Sequence, residues 1–501
     1  MKNIKIQLIL LSVFGILCGL LGSCFNMPYL TYIAYTPLMY GLMFSSGRRQ
    51  FFYNFCAFFV PYYLTQLSFL LTIYKLIPVN EMLAVLLAFI VYILLTLWEV
   101  LLMLMPVYTF LWIKRGDVTD VFSLSVLICM GEWLTENIFL LSFPWSGAWL
   151  SVTGSPLLCQ PANLFGAFFV SFLILSINGL FVRIVFCKRR FFSVVSIIAL
   201  LGFVIVYGNY SLDNIRKSTA ENDRKIKVTA VQGDAEGSEK DNISSSEFID
   251  EYEKIISENL PDKTNLILLP ETAIPVNYNE TSDEFIRVSQ LANQKKCTIV
   301  AGCFGNFEGS DYNSIYAFLP DKTVSEPYFK QVLVPFGEKI PLAWLFGEKT
   351  LTECSDKTKL LPLKGKNGKI GAVICIESIY SKIVRSQSEN GAEILCVSTN
   401  DSWFGKSFAR GQHYRHSIMR AVENGKFLVR SGNCGISAVI SPAGEQLAVK
   451  TDTSKGAVSA EAALISESTV YVKNGGLFSA AGVIVIAAAI CRRFGTNKVR
   501  K

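Results

Sequence analysis

Hydrophobic and polar positions divide the chain into two contrasting parts. Up to residue 207, long apolar runs alternate with short polar turns. Because roughly 20 apolar residues are needed to cross a bilayer as a helix, these runs and one more near the end predict eight membrane spans. The predicted spans are residues 6–25, 27–44, 51–74, 82–112, 121 to about 141, 164–186, 192–207 and 476–490.

Two of these runs contain acidic residues. The fourth is longer than a crossing requires and includes Glu99 and Pro106, which predicts a tilt, a kink or an extension beyond the lipid. The fifth is interrupted by Glu132 and Glu136 and is the weakest of the eight.

From Asn209 the pattern changes to short apolar runs of strand character that alternate with helical stretches. Such alternation predicts an α/β domain, and continuous apolar runs predict strands covered on both faces. The strand candidates are "KIKVTAVQ", "NLILLP", "CTIVAGC", "IGAVIC", "EILCVS" and "GISAVIS", and the helix candidates are "SSEFIDEYEKIISENL", "DEFIRVSQLANQ" and "QHYRHSIMRAVENG". We therefore expect a membrane domain of seven spans (1–208), a globular domain (209–473), and a last span with a basic tail (474–501).

Composition supports a membrane protein. The chain is 51% hydrophobic and 17% charged, with a mean hydropathy of +0.38. The net charge of +7 does not indicate a nucleic-acid partner, because much of the basic charge flanks the apolar runs. These Lys and Arg clusters lie at alternate ends of the spans, which predicts cytoplasmic termini and an extracytoplasmic 209–473 domain. The first run is also compatible with a cleaved signal peptide, although "SCFNMP" is a poor cleavage site.

Three candidate catalytic residues lie where apolar runs end. Glu271 follows "LILLP", Lys330 precedes "QVLVPFGE", and Cys375 ends "AVIC". Open α/β sheets gather their sites at strand ends. Taken alone, each residue is better explained by a structural role, such as a small buried cysteine or a turn glutamate. A thiol, a base and a fixed positive charge together are what acyl transfer through a thioester requires.

The remaining reactive side chains indicate little chemistry. The chain has two histidines, His413 and His416, and without a third ligand we interpret them as packing or surface residues rather than a metal site. Most cysteines of the globular domain lie in apolar strand runs, so we expect them to be buried and reduced. Cys354, in "LTECSDK", is the one expected to be most exposed.

Five motifs follow one another in the second half of the chain: "LLPETAIP", "KQVLVPFGE", "VICIES", "STNDSWFG" and "QHYRHSIMRAVENGKFLVRSGNCGISAVISPAGE". Together with "SFPW" at 142–145, this ordered set resembles the apolipoprotein N-acyltransferases, the membrane branch of the nitrilase superfamily. The resemblance implies an extracytoplasmic αββα sandwich and a catalytic triad of Glu271, Lys330 and Cys375. It also implies auxiliary carboxylates at Glu338 and Glu377. The sequence departs from the usual pattern at Ile376 and Leu269, where the family often has an aromatic residue and a tryptophan.

The same resemblance implies a function. A fatty acyl chain would pass from a membrane phospholipid to Cys375, and then to the free α-amino group of a diacylglyceryl-cysteine at the N-terminus of an apolipoprotein, in a ping-pong reaction. No metal or organic cofactor is called for. The partners would be phospholipid, apolipoprotein and the lipid bilayer, with no nucleic acid. The expected location is the bacterial cytoplasmic (inner) membrane, with the catalytic domain on the periplasmic side.

Substrate contacts and alternative functions are less sharply defined. Four aromatic residues are candidates for lid or acyl-chain contacts, and are equally compatible with an ordinary core role: Trp344, Phe346, Trp403 and Phe404. A membrane-anchored nitrilase-type amidase would use the same triad on a small amide. The other alternative is a sensor or transporter whose outer domain is not catalytic. The spans contain few of the ionisable residues that mark a transport path, which argues against it.

Overall fold

The computed structural model describes residues 2–77, 79–138, 141–233, 245–261, 263–307, 309–334, 338 and 361–498. The chain forms two compact units. The first unit comprises Met1–Asp213, Ser407–Gln412 and Asn474–Lys501, and the second comprises Asn214–Lys406 and His413–Lys473.

The first unit is helical, as its long apolar runs predict. Its α-helices are α1 (Lys2–Ser23), α2 (Thr31–Ala34), α3 (Thr36–Met43), α4 (Arg48–Gln66), α5 (Glu81–Tyr108), α6 (Phe110–Ile113), α7 (Thr119–Asn137), α8 (Pro156–Cys159), α9 (Ala162–Phe165), α10 (Ala167–Phe186) and α11 (Phe191–Ala220), whose last turns enter the second unit. Short 3-10 helices occupy Pro28–Leu30, Ser68–Leu76 and Ala148–Val152.

Five helical segments in the described part of the chain are long and apolar enough to cross a membrane. They are Ile4–Ser23, Arg48–Lys75, Glu81–Ile113, Ala167–Phe186 and Phe191–Ala220. Large apolar side chains such as Ile9, Leu94 and Ile198 are exposed on these helices. So extensive an apolar surface is unfavourable in water and suits the hydrocarbon of a membrane.

The predicted span at 27–44 is divided in the structure. It consists of the 3-10 helix at Pro28–Leu30, then α2, then α3, with a break at Tyr35. Pro37 lies in the first turn of α3, where its fixed φ and missing N–H suit a helix start. With 8 residues, α3 is only about 12 Å long, against a hydrocarbon core of about 30 Å.

The acidic residues of the fourth and fifth runs are buried within the first unit. Glu99 lies in α5, and Glu132 and Glu136 lie in α7. The Glu132 carboxylate accepts a hydrogen bond of 2.9 Å from the backbone N–H of Ala148. The three glutamates that lower the mean hydropathy of these runs are therefore surrounded by other protein atoms.

A segment from much later in the sequence, Ser407–Gln412, also belongs to the first unit. The Gln412 side chain is fully buried. It accepts a hydrogen bond of 3.0 Å from Trp145 Nε1, and its own amide N–H group donates to Ser23 Oγ at 3.0 Å and to Gln66 Oε1. This amide therefore links residues that are widely separated along the chain.

The second unit contains two β-sheets. Its strands are β1 (Lys225–Gln232), β2 (Leu266–Leu268), β3 (Ile274–Asn277), β4 (Thr298–Phe307), β5 (Ser310–Phe318), β6 (Tyr328–Phe329), β7 (Leu363–Lys364), β8 (Lys369–Ile374), β9 (Ile394–Asn400), β10 (Leu428–Asn433), β11 (Ser437–Ile440), β12 (Gln446–Lys450) and β13 (Gly456–Ala463). In the described residues, one sheet has the order β13-β1-β2-β4-β5-β6, with β3 beside β4, and the other has the order β12-β11-β10-β9-β8-β7.

The remaining helices complete the fold. They are α12 (Ser245–Asn259), α13 (Asp283–Lys295), α14 (Ser381–Glu389), α15 (Ala409–Asn424), α16 (Val470–Asn474) and α17 (Leu477–Lys498); the first three belong to the second unit. From Asn474 onwards the chain is part of the first unit, and α15 enters the second unit at His413.

Three apolar layers define the architecture of the second unit. Side chains of both sheets, such as Val228 and Ala372, share one buried core between the sheets. On one outer face, Phe285 of α13 packs with strand residues of the first sheet, and on the other, Val384 of α14 packs with those of the second. The order is helix, sheet, sheet, helix. This nitrilase-like αββα sandwich confirms the predicted α/β fold, including strands covered on both faces.

Candidate active site

Three loops that follow strands bring a carboxylate, an ammonium group and a thiol together in the second unit. Glu271 comes after β2, Lys330 directly after β6, and Cys375 directly after β8. The Lys330 Nζ lies 2.9 Å from Glu271 Oε1, and both side chains are buried. The Cys375 thiol is within hydrogen-bonding reach of the Glu271 carboxylate. The predicted triad residues therefore lie side by side.

The Glu271 carboxylate is held by three hydrogen-bond donors. Besides Lys330, Asn313 Nδ2 donates to Oε1 at 2.7 Å, and the backbone N–H of Asn400 donates to Oε2 at 2.9 Å. Burial raises the pKa of Glu271, but the Lys330 charge and these hydrogen bonds outweigh it and leave the pKa below its usual value. Glu271 is therefore ionised at neutral pH and can accept a proton.

Lys330 is a fixed positive charge. Its Nζ also contacts Glu338 Oε1 at 2.8 Å, and Glu338 Oε2 accepts a hydrogen bond of 2.8 Å from the backbone N–H of Val334. Burial lowers the pKa of Lys330, but the Glu271 and Glu338 carboxylates outweigh burial and raise the pKa well above its usual value. An ammonium group that stays charged can stabilise a developing oxyanion.

Cys375 begins a 3-10 helix, Cys375–Ile379, and has a φ of +50°. This left-handed conformation is unfavourable for a residue with a Cβ, so the turn must be held by its surroundings. Burial, and then the charge of Glu271, raise the pKa of the Cys375 thiol well above its usual value. The thiol is therefore protonated at rest, and to act as a nucleophile it would need a base at the moment of attack.

Glu377 holds two backbone segments of the site by hydrogen bonds. Its carboxylate is fully buried and accepts hydrogen bonds from the backbone N–H groups of Ile374, at 2.7 Å, and Gln331, and from the Tyr328 hydroxyl at 2.8 Å. Burial raises the pKa of Glu377 to about 7, against the lowering effect of these donors. Glu377 thereby ties the loop that carries Lys330 to the turn that carries Cys375.

The two aromatic residues of the "SWFG" motif differ in environment. Trp403 is 38% exposed, whereas Phe404 is buried and packs against His413 with ring centroids 5.6 Å apart. Trp403 thus remains available for a substrate contact, while Phe404 has the surroundings of a core residue. Trp344, Phe346 and Cys354 lie outside the described residues.

Two family models match the chain. The carbon-nitrogen hydrolase family matches residues 227–467, and the apolipoprotein N-acyltransferase N-terminal domain matches residues 14–180. Among solved structures, a carbon-nitrogen hydrolase from Helicobacter pylori G27 is 20% identical, with a TM-score of 0.38 over 47% of this chain and 89% of that chain.

Curated relatives carry the comparison further. The apolipoprotein N-acyltransferase of Geobacter metallireducens is 27% identical over 96% of this chain and 94% of its own length. That of Aquifex aeolicus is 30% identical over 65% of this chain and 72% of its own length. The chain belongs to the apolipoprotein N-acyltransferase family. It is therefore a membrane acyltransferase whose catalytic unit has the carbon-nitrogen hydrolase fold.

Several residues around the site of this apolipoprotein N-acyltransferase family member are not identified by sequence analysis. Asn313 lies inside β5, away from any quoted motif. His413, interpreted above as a packing or surface residue, is fully buried, and its Nε2 lies 3.0 Å from the Cys375 carbonyl oxygen. Asp401, which contacts His413 Nδ1 at 2.9 Å, directly follows β9 in "STNDSWFG", so its strand-end position was an available signal.

In the described part of the chain, no group of three or more His, Cys, Asp or Glu side chains is arranged to hold a metal ion. The five described cysteines of the predicted globular domain are buried: Cys297, Cys303, Cys375, Cys396 and Cys434. The first four lie in or beside the apolar strand runs that predicted this burial, whereas Cys434 lies between β10 and β11.

Proposed function

We propose that this enzyme transfers a fatty acyl chain from a membrane phospholipid to the α-amino group of an N-terminal diacylglyceryl-cysteine of apolipoproteins, through a thioester on Cys375. The observation that carries the proposal is the shared carboxylate of Glu271, which faces both the Lys330 ammonium and the Cys375 thiol. Apolar helices on the same chain account for substrates that are both lipids.

In the first half-reaction, Glu271 takes the thiol proton as Cys375 Sγ attacks the ester carbonyl carbon of the phospholipid. A C–S bond forms, and the oxyanion is stabilised by Lys330 and a backbone N–H group beside Cys375. The tetrahedral intermediate then collapses by breaking the C–O ester bond. Glu271 returns its proton to the departing oxygen, which releases a lysophospholipid and leaves the acyl chain on Cys375.

In the second half-reaction, the free α-amino group of the diacylglyceryl-cysteine attacks the thioester carbonyl. Glu271 accepts the proton that the nitrogen loses, a C–N bond forms, and the C–S bond breaks. The sulfur leaves as a thiolate beside Lys330 and recovers the proton from Glu271. Because the thioester forms before the acceptor binds, the kinetics are ping-pong.

The proposed topology has eight spans, the second of which is made by Pro28–Leu30, α2 and α3 in series. Both termini would lie in the cytoplasm and the catalytic domain on the periplasmic side of a bacterial inner membrane. Residues 1–208 and 474–501 would form the membrane part, and 209–473 the catalytic domain. Support comes from the Lys and Arg clusters at alternate ends of the apolar runs. This arrangement gives the site access to substrates in the outer leaflet.

The decisive experiment is intact-mass spectrometry of the full chain, purified in detergent and incubated with a phospholipid of defined acyl chains. We expect a mass increase equal to one acyl group, removable by hydroxylamine, on Cys375. A synthetic diacylglyceryl-cysteine peptide with a free amine should then receive the acyl chain, while its N-acetylated counterpart should not. N-acylation by a Cys375→Ala variant would overturn the proposal. Turnover of small amides without a long-chain thioester would indicate the amidase instead.

A further inference from the structure

We propose that His413 is a positioning residue that fixes the peptide bond between Cys375 and Ile376, and so aims the Ile376 N–H group at the oxyanion. The inference rests on the proposed function, because it assigns a supporting residue to the same thioester chemistry. It concerns residues of the second unit alone.

The Cys375 carbonyl oxygen is held from two sides. His413 Nε2 lies 3.0 Å from it, and the Ser378 hydroxyl donates to it at 2.9 Å. His413 Nε2 also lies 3.0 Å from Ser378 Oγ. Because the one hydroxyl hydrogen of Ser378 is used on the carbonyl, and a carbonyl oxygen can only accept, both contacts of Nε2 are favourable only with a hydrogen on Nε2. The imidazole is fully buried, so water cannot replace this donor.

The opposite edge of the imidazole is fixed by a buried ion pair. Arg430 Nη2 lies 3.0 Å from His413 Nδ1 and 2.8 Å from Asp401 Oδ2. Asp401 Oδ1 lies 2.9 Å from the same ring nitrogen and accepts a hydrogen bond of 2.9 Å from the Thr399 hydroxyl. Burial, and then the charge of Arg430, lower the pKa of His413, which favours a neutral ring. With its single hydrogen on Nε2, that ring accepts from Arg430 at Nδ1, while the same guanidinium nitrogen donates to Asp401 Oδ2. No hydrogen then lies between Nδ1 and Asp401 Oδ1, and the Arg430 charge offsets the approach of these two acceptors.

Planarity of the peptide bond connects this carbonyl to the chemistry. In a trans peptide, the C=O and N–H bonds point in opposite directions. Holding the Cys375 oxygen from behind therefore fixes the direction of the Ile376 N–H group. That group lies in the first turn of the 3-10 helix Cys375–Ile379, where backbone N–H groups have no acceptor within the helix. Hydrogen bonds to the carbonyl also polarise the peptide and strengthen its N–H as a donor.

The backbone conformation of Cys375 also depends on support from its surroundings, to which His413 contributes. With φ at +50°, the nucleophile occupies a conformation that is unfavourable for a residue with a Cβ and persists only where its surroundings impose it. Without a donor from His413, the turn would lose a contact that opposes relaxation of this peptide. A histidine that only fills space would have no such effect on catalysis.

The test compares two reactions of Cys375 in the full-length protein. Thioester formation from phospholipid passes through an oxyanion, whereas alkylation by iodoacetamide is a direct displacement without one. For His413→Ala we expect thioester formation to slow by about tenfold or more, since a complete oxyanion donor is worth about 10²–10³ in rate. Alkylation should stay within about threefold of the unaltered protein, because Glu271 and Lys330 are untouched.

Two further variants sharpen the comparison. His413→Gln places an amide N–H near the position of Nε2 and should restore much of the thioester rate. His416→Gln makes the same replacement on the same helix and should leave the ratio of the two rates unchanged. Equal slowing of both reactions by His413→Ala, or an unchanged ratio, would overturn the inference. Absence of a thioester on Cys375 in the unaltered protein would overturn the proposed function instead.

Should His413→Ala fail to fold, as judged by its melting temperature, Ser378→Ala carries the test. It removes the other side-chain donor to the same carbonyl oxygen. We expect a smaller loss of thioester formation, again without a matching loss of alkylation. An unchanged ratio in this variant would show that the direction of the peptide does not limit the reaction.

Discussion

Asn313 donates a hydrogen bond of 2.7 Å to Oε1 of Glu271 inside the buried site. Replacing it with Asp would put a second carboxylate against Glu271, and like charges raise a carboxyl pKa. The rate of Cys375 acylation, measured against pH, should fall on the acid side as Glu271 becomes protonated. In Asn313→Asp this fall should occur at higher pH than in the unaltered protein. Asn279→Asp, the same charge change at an exposed position, is the control and should leave the profile in place. A profile shifted equally in both variants would contradict this role.

Glu271→Gln should separate thiol acidity from catalysis. The Glu271 carboxylate raises the pKa of the Cys375 thiol, so removing its charge should lower that pKa. The thiol would then be more acidic but slower to acylate, by about 10²–10⁴, because the variant lacks the proposed general base. The pH dependence of iodoacetamide alkylation measures the first effect and thioester formation the second. If the alkylation profile stays where it is, the proposed contact between the two side chains is wrong.

The two aromatic residues of "SWFG" should respond differently to truncation. Phe404 is buried against His413, so Phe404→Ala should cost about 3–5 kcal/mol of unfolding free energy. Trp403 is 38% exposed, so Trp403→Ala should change stability by no more than about 0.5 kcal/mol. If Trp403 contacts lipid, its loss should raise KM for phospholipid at an unchanged melting temperature. Unaltered kinetics in Trp403→Ala would remove it from the substrate-binding candidates.

The left-handed φ of Cys375 predicts that glycine is tolerated at this position at least as well as alanine, the reverse of the usual order of stability. Glycine adopts this conformation freely, whereas alanine pays about 1–2 kcal/mol, so Cys375→Gly should be at least as stable as Cys375→Ala. At Ala372, in the preceding strand β8, the usual order applies, and Ala372→Gly should be destabilising by at least about 0.5–1 kcal/mol. Thermal unfolding of the three variants gives the comparison. A Cys375→Ala protein clearly more stable than Cys375→Gly would show that the turn is not strained.

Local pattern was sufficient to predict an α/β domain, whereas the αββα sandwich was implied by the family resemblance. Each of the six strand candidates and three helix candidates corresponds to an element of the second unit or to α15, because apolar periodicity reports directly on burial. Of the thirteen strands in the described residues, seven were not among the candidates: β3, β5, β6, β7, β10, β12 and β13. In β5, for example, "SDYNSIYAF" mixes polar and apolar positions. The subdivision of residues 27–44 was missed as well, because hydropathy does not register a break between two short helices.

The site was accessible to sequence reasoning only where residues follow strands. Glu271, Lys330 and Cys375 occupy such positions, and the structure brings them together. Asn313 and His413 contact residues 42 and 38 positions away, respectively, and no local pattern encodes such contacts. A histidine without a metal frame was therefore interpreted as a packing or surface residue, although it touches the backbone of the nucleophile.

The buried Gln412 has a consequence for how such an enzyme can diversify. Its amide is satisfied by Ser23, Gln66 and Trp145, yet it is encoded in the middle of the segment that carries the catalytic residues. Recombination at the two ends of that segment would join Gln412 to the membrane part of another protein, where these partners would be missing. New specificities in this architecture should therefore arise by substitution along one continuous gene, with both parts of the protein inherited together.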